Sequence, residues 1–245
     1  MKKGVRLLVR FLLVLLTFIV VFFFWASSAT LEESAYKSLT VLETKAIPKN
    51  DSIFSIVTYN IGYLSGMTNN LPIAKSKELF ENNLAKVLLE TAKANPDIIA
   101  FQEIDYNAAR SYHVNQHEEI ATLGFGYSAE TINWDKTYVP FPYWPPSMHF
   151  GKVVSGQSIL SKYPLQSHER IVLERIANAP FYRDALYLDR LAQVVKVLLN
   201  GKEVVLINVH LEAFDKKTRA QQLDVVIALF QKHAATHPTI LLGDF

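Results

Sequence analysis

Apolar and polar positions follow three different rhythms along this chain. Residues 11–26, FLLVLLTFIVVFFFWA, hold no charge at all and follow a segment carrying Lys2, Lys3, Arg6 and Arg10. Sixteen residues at a rise of ~1.5 Å make about 24 Å of helix, short of a hydrocarbon core of ~30 Å. Taken from Leu7 to Ser28 the helix reaches about 33 Å, with Arg10 able to snorkel at one end. A run apolar on every face at the extreme terminus reads as a membrane-directed leader rather than a core helix. Two readings of residues 1–29 stay open. One is a signal peptide cut at the small residues Ala26-Ser27-Ser28-Ala29. The other is an uncleaved signal anchor ending in the aromatic belt Phe22-Phe23-Phe24-Trp25. In both, the basic flank stays inside and the rest of the chain lies across the membrane: anchored on the extracytoplasmic side, or secreted or periplasmic. Residues 30–52 are polar and mixed, close on Pro48-Lys49-Asn50-Asp51, and are expected to be a tether.

Beyond the leader, short β-rich runs alternate with helical periodicity. Ile53–Tyr59, Asp97–Phe101 and Ser158–Leu160 are expected strands. Leu191–Leu199 and Lys202–Val209 flank Asn200-Gly201, a strong two-residue hairpin signal. Residues 75–94 place Leu79, Leu84, Val87, Leu88 and Thr91 on one helical face before Asn95-Pro96 stops them. Residues 115–123 make a short helix at best. Residues 216–235 form another helix, with Leu223, Val226, Ile227 and Phe230 expected inward, and Thr239–Leu242 begins a last strand. Near-continuous apolar strands imply sheets covered on both faces, so the fold class is α/β, or mixed α+β, with layered sheets.

Composition narrows the chemistry. There is no cysteine, which removes disulfide scaffolds, thiolate zinc sites and thiol catalysis. The formal charge of +2 is misleading. Four of the 25 basic residues sit in the first ten positions, so from residue 11 onward 21 basic residues face 23 acidic ones, a net of −2. The body therefore lacks the positive field of a protein whose main task is to grip nucleic acid.

Four polar residues each follow on an apolar strand: Asn60 after IVTY, Glu103 after IIAFQ, His210 after VVLINV and Asp244 after TILLG. Layered α/β folds gather ligands outside the carboxyl ends of strands. A carboxylate at the mouth of a buried run, as at Glu103, is costly unless a cation meets it, and a hard oxygen-seeking ion such as Mg²⁺ is the simplest partner. His210 could donate to a phosphate oxygen, and Asp244 and Asn60 could orient water and complete a ligand shell.

Thr58-Tyr59-Asn60-Ile61, Phe101-Gln102-Glu103, Asn208-Val209-His210-Leu211 and Gly243-Asp244-Phe245 resemble, in order and context, the motifs of the endonuclease/exonuclease/phosphatase family, the DNase-I-like superfamily. Gly156–Pro164 is similar to the family's G-x-x-I-L-S-[RK]-x-P segment, and Arg190 to its arginine ahead of an apolar strand. The resemblance covers about residues 53–245. It implies a four-layer sandwich of two mixed sheets flanked by helices, and Mg²⁺-dependent cleavage of a phosphate ester, with Mn²⁺ as the alternative ion. It also implies roles. Glu103 would be the principal metal ligand, supported by Asn60. His210 would hydrogen-bond the scissile phosphate, Arg190 would help neutralise it, and Asp244 would position the attacking water or hold the phosphate side of the site. The family motif continues G-D-F-N and later supplies an Asp-His pair, whereas this sequence stops at Phe245. The second half of the sandwich is therefore expected to be incomplete, and these 245 residues alone are expected to show little or no turnover.

The leader, the acidic body and an aromatic, proline-rich stretch at 138–150 favour a lipid-phosphate or small phosphodiester substrate, with nucleic acid the disfavoured alternative. That stretch is expected to be a structured connection at the sheet edge, a wall of the cleft or a wedge on the bilayer. The cluster Lys216, Lys217 and Arg219 reads as a solvated first turn of a helix. The chain is expected to act as a monomer. An exported nuclease of the same fold and a non-catalytic anchored remnant are the competing functions.

Overall fold

The structure is a computed structural model and describes residues 2–43, 52–69 and 71–245. The end of the expected tether at Pro48–Asp51 lies outside the described residues. Helix α1 (Lys2–Ser27) covers the apolar N-terminal run, and among the described residues it is the one helix long and apolar enough to cross a membrane. The expected tether does not run free: residues 33–36 form a 3₁₀ turn and Lys37–Val41 form strand β1. Alternating Lys37-Ser38-Leu39-Thr40-Val41 has the composition of an edge strand, which is how it is used.

The first sheet continues with β2 (Ile56–Asn60), β3 (Ile98–Asp105), β4 (Tyr127–Val139) and β5 (Gly151–Ser161), in spatial order β1-β4-β5-β3-β2. Strands β2 and β3 run parallel, joined through helix α2 (Lys77–Ala94), and the other pairs are antiparallel. The second sheet holds β6 (Leu165–Val172), β7 (Leu191–Leu199), β8 (Lys202–His210) and β9 (Thr239–Asp244) in sequential order. The expected hairpin closes on Asn200 and Gly201, both at positive φ as the tight turn requires. Only β8 and β9 are parallel, joined through helix α5 (Lys216–Ala234).

Three apolar clusters separate four layers. Ile99, Phe101, Ile104 and Leu160 pack with Phe80 and Val87 of α2 and with Ile120 of the short helix α3 (Gln116–Ala121). Ile98, Ala100 and Ile159 meet Val195, Val197 and Leu206 between the sheets. Val194, Val205, Ile207 and Val209 pack under Val226 of α5. The chain is thus α/β with two mixed sheets flanked by helices. Two inward faces differ from expectation. On α2, Phe80 is buried and Leu79 only half-buried. On α5, Leu223 and Ile227 are exposed, because the buried stripe runs through Thr218, Gln222 and Val226. Gln222 is drawn inward by two hydrogen bonds, accepting from the Glu212 amide and donating to the Glu174 carbonyl.

Candidate active site

Strand register decides what meets here. Asn60 ends β2, and His210 and Asp244 lie directly opposite each other at the carboxyl ends of the parallel pair β8 and β9. Glu103 differs from expectation, for it lies inside β3, which runs on to Asp105 because Arg110 neutralises that buried carboxylate at 2.8 Å. The β3–β5 register slips between Phe101 and Ile104, and Glu103 takes φ +52°. A bulge of this kind re-aims one side chain out of the pleat. Glu103 therefore points to the same mouth as the three strand ends, which lies between the two sheets.

Buried amides lock the sheets together under that mouth. Asn208 donates to the Phe101 carbonyl and to Gln193 Oε1, both at 3.1 Å, and accepts from Gln102 Nε2 at 2.6 Å. Gln157 donates to the Asn208 carbonyl at 3.0 Å. All four residues are buried.

Above them, Glu103 Oε1 lies 3.4 Å from His210 Nε2, and its Oε2 accepts from Asn69 at 2.6 Å. Asn60 donates to Asp244 Oδ2 at 2.7 Å and accepts from the Gly62 amide, which fixes which way its amide faces. His210 Nε2 is 3.9 Å from Asp244 and 2.7 Å from Arg190 Nη1. Arginine cannot accept, so a neutral His210 ring accepts a hydrogen bond from Arg190 Nη1–H at Nε2, whereas the Nε2–H of a protonated ring faces Glu103. Arg190 is buried and further held by Glu212 and the Tyr187 hydroxyl.

Burial opposes ionisation of Glu103. The hydrogen bond and charge of His210, the Asn60 amide and the charge of Arg110 outweigh it and hold the carboxyl below the usual glutamate value. Arg110 is itself wedged against the Tyr63 ring, 3.5 Å from its centroid. Burial, then the Glu103 charge, push the Tyr63 hydroxyl well up, so it stays a neutral donor.

All five residues singled out from sequence thus converge: Asn60, Glu103, His210, Asp244 and Arg190. Asn69, Arg110, Tyr187 and Glu212 escaped sequence reasoning. Asn69 lies in an irregular loop with no periodic signal. Glu212, two residues past His210, could have been found as a carboxylate flanked by buried strand. Among the described residues, no group of three or more His, Asp or Glu side chains forms a ready metal cluster. The donors on hand are two carboxylates, Glu103 and Asp244, and one amide oxygen. That all-oxygen set, with water completing the shell, suits Mg²⁺.

Two mixed sheets packed face to face, with acidic, amide and histidine side chains at one mouth, define a layered α/β sandwich with a polar site at its rim. The chain belongs to the endonuclease/exonuclease/phosphatase family, a family of metal-dependent phosphoesterases, whose sequence profile matches residues 57–245. Among solved structures it is similar to an endonuclease/exonuclease/phosphatase from Beutenbergia cavernae, with 18% identity and TM-score 0.54 over 77% of this chain and 46% of that one. It is also similar to ANGEL2, a 2',3'-cyclic phosphatase, with 16% identity and TM-score 0.53 over 78% of this chain and 52% of that one. A third likeness is to Danio rerio TDP2 complexed with single-strand DNA product, with 17% identity and TM-score 0.51 over 79% and 61%. The chain thus spans about half the length of the first structures it matches. No curated protein matches it.

Proposed function

We propose that this chain is a membrane-directed, metal-dependent phosphoesterase domain whose site takes a lipid-phosphate or small phosphodiester in preference to nucleic acid. One observation carries the reading: an ionised, half-buried Glu103 faces His210 at 3.4 Å, with Asp244 and Arg190 on either side. In this reading Glu103 would be the principal residue holding Mg²⁺, and Asn60, whose oxygen accepts from the Gly62 amide, would support it directly or through water; the ion when bound supplies a Lewis acid against the charge of the ester. Arg190 and His210 donate to the non-bridging phosphate oxygens, where negative charge must be offset before an attacking oxygen can approach. Asp244, its side chain about half exposed, accepts from the attacking water and orients it. The α1 leader is a signal anchor or a signal peptide, with the domain outside. The preference for a lipid or small ester follows from the acidic body, since a nuclease gains most of its affinity from lysine and arginine at phosphates.

The test is calorimetric. Mg²⁺ titrated into the detergent-solubilised chain should bind, and Glu103→Gln should weaken binding at least about tenfold, as losing one charged ligand does. With Mg²⁺ present, a phosphocholine diester should bind more tightly than single-stranded DNA. Equal Mg²⁺ affinity in wild type and Glu103→Gln would remove the metal assignment. Tighter, steeply salt-dependent DNA binding would move the reading to a nuclease. Mg²⁺ binding without affinity for any ester would leave a non-catalytic anchored domain.

A further inference from the structure

The end of the apolar helix is built into the domain rather than hung from it. Ala26 is 1% exposed. Lys136 donates to the Ser27 carbonyl at 3.1 Å, and the Thr137 amide to the Ser28 carbonyl at 2.9 Å. Asp135 then gathers the next turn of chain, accepting from the Thr30 amide and hydroxyl, the Leu31 amide and the Tyr36 hydroxyl. With both backbone and side chain pinned on β4, the helix leaves the domain in one direction.

Aromatic side chains surround that exit on two sides. Tyr138 stacks on Trp25 and meets Phe22 edge-on, with centroids 5.8 Å apart in both pairs. The same stretch continues to Phe141, Tyr143 and Trp144, the last two 70% and 79% exposed. On the other side, Phe181 of helix α4 (Phe181–Leu186) packs on Phe23 at 5.6 Å, and Phe181 and Tyr182 stay exposed. Large aromatics left in water cost apolar exposure unless something covers them. They are continuous with an apolar helix that is itself bare along its length. Aromatic rings with a polar tip gather where hydrocarbon gives way to headgroups.

We propose that residues 138–144 and 181–182 form a collar that rests in the headgroup region of a lipid bilayer and holds the domain in one orientation. The collar rests on the anchor reading of α1 given above. It also lies close to the site along the chain. Helix α4 starts at Phe181 in the collar and is followed directly by Tyr187, whose hydroxyl accepts from Arg190 beside His210. Six residues of helical rise are about 9 Å, so the collar and the Arg190 side of the site are joined by one short stretch of chain.

The chain has no cysteine, so single labels are unique. The full chain in phosphatidylcholine nanodiscs would carry a nitroxide at Phe24→Cys, Trp144→Cys or the exposed Lys93→Cys. Power saturation then compares access of oxygen with access of a water-soluble nickel chelate. The oxygen-to-nickel ratio at 144 should stand several-fold above that at 93, with 24 higher still. Tyr143→Cys gives a second reading of the same surface. A lipid-buried 24 with 143 and 144 as wet as 93 would overturn the collar and leave the anchor intact. A wet position 24 would overturn both.

Discussion

Replacing Asn208 by leucine tests whether the amide network, rather than apolar packing, holds the two sheets in the register that brings Glu103 to His210. The two side chains have the same number and branching of heavy atoms, so the change is mainly chemical. It strips two donors and one acceptor from a site that water does not reach. Gln102 Nε2 retains weak contacts to Thr58 at 3.2 Å and the Ala100 carbonyl at 3.4 Å, while Gln193 Oε1 loses the partner it has here. Orphaned buried polar groups cost roughly 1–3 kcal/mol each. Two losses and a partial third come to about 3–6 kcal/mol, and burying the leucine returns about 1.5–3. The net is about 2 kcal/mol, a sizeable share of the 5–15 kcal/mol that typically separates folded from unfolded domains. Urea unfolding in detergent, followed by the buried Trp134, should show a lower midpoint at unchanged slope. Gln102→Leu added to Asn208→Leu should cost less than it does alone, since the pair is already broken. A midpoint shift worth under about 0.5 kcal/mol would refute the reasoning.

Three further outcomes follow from the same structure. Gly243 sits at φ +132°, and a Cβ there would stand 2.1 Å from the Val209 carbonyl oxygen; Gly243→Ala should strip β9 from the sheet and lower Tm sharply, while Gly124→Ala, at φ +96° in open space, should cost only about 1 kcal/mol. Burial lowers His117 from 6.5 to about 4. Above pH 6.5 it contributes nothing, and as pH falls toward 4 the unfolded chain takes a proton the fold refuses, so up to about 3 kcal/mol of stability is lost in that window; His117→Leu should flatten it in a pH series of urea midpoints. Asp135→Asn turns an N–H toward donors that now meet an oxygen, and should open residues 28–36 to proteases in the full chain while leaving the distant α2 protected; identical digestion patterns would count against the pinned helix exit.

The fold class and four of the five candidate residues were legible from apolar runs, their polar ends and one Asn-Gly turn, whereas Arg190 was legible only through the family resemblance. Strand β4 was not legible. Its Thr131, Asn133 and Asp135 are polar yet buried, each matched to one distant partner: the Tyr36 carbonyl, the Asp189 carbonyl and the Thr30–Tyr36 turn. Alternation cannot reveal a buried polar residue whose reason lies ninety residues away. The inward face of α5 was misjudged for the same cause, with Gln222 buried where Leu223 was expected. The bulge at Glu103 was equally hidden, since a run ending in Gln-Glu carries no mark of positive φ.

If α1 is the leader proposed above, the pinned stretch Ala26–Ser28 also bears on the order of events during biogenesis. Proteolytic nicking favours mobile, exposed chain. Once β4 has formed, the small residues that a processing enzyme would need are helical or tied by their carbonyls to Lys136 and Thr137. On the leader reading proposed above, removal of that segment would be a race during export: either the enzyme arrives before the domain closes, or the closed domain keeps its own leader.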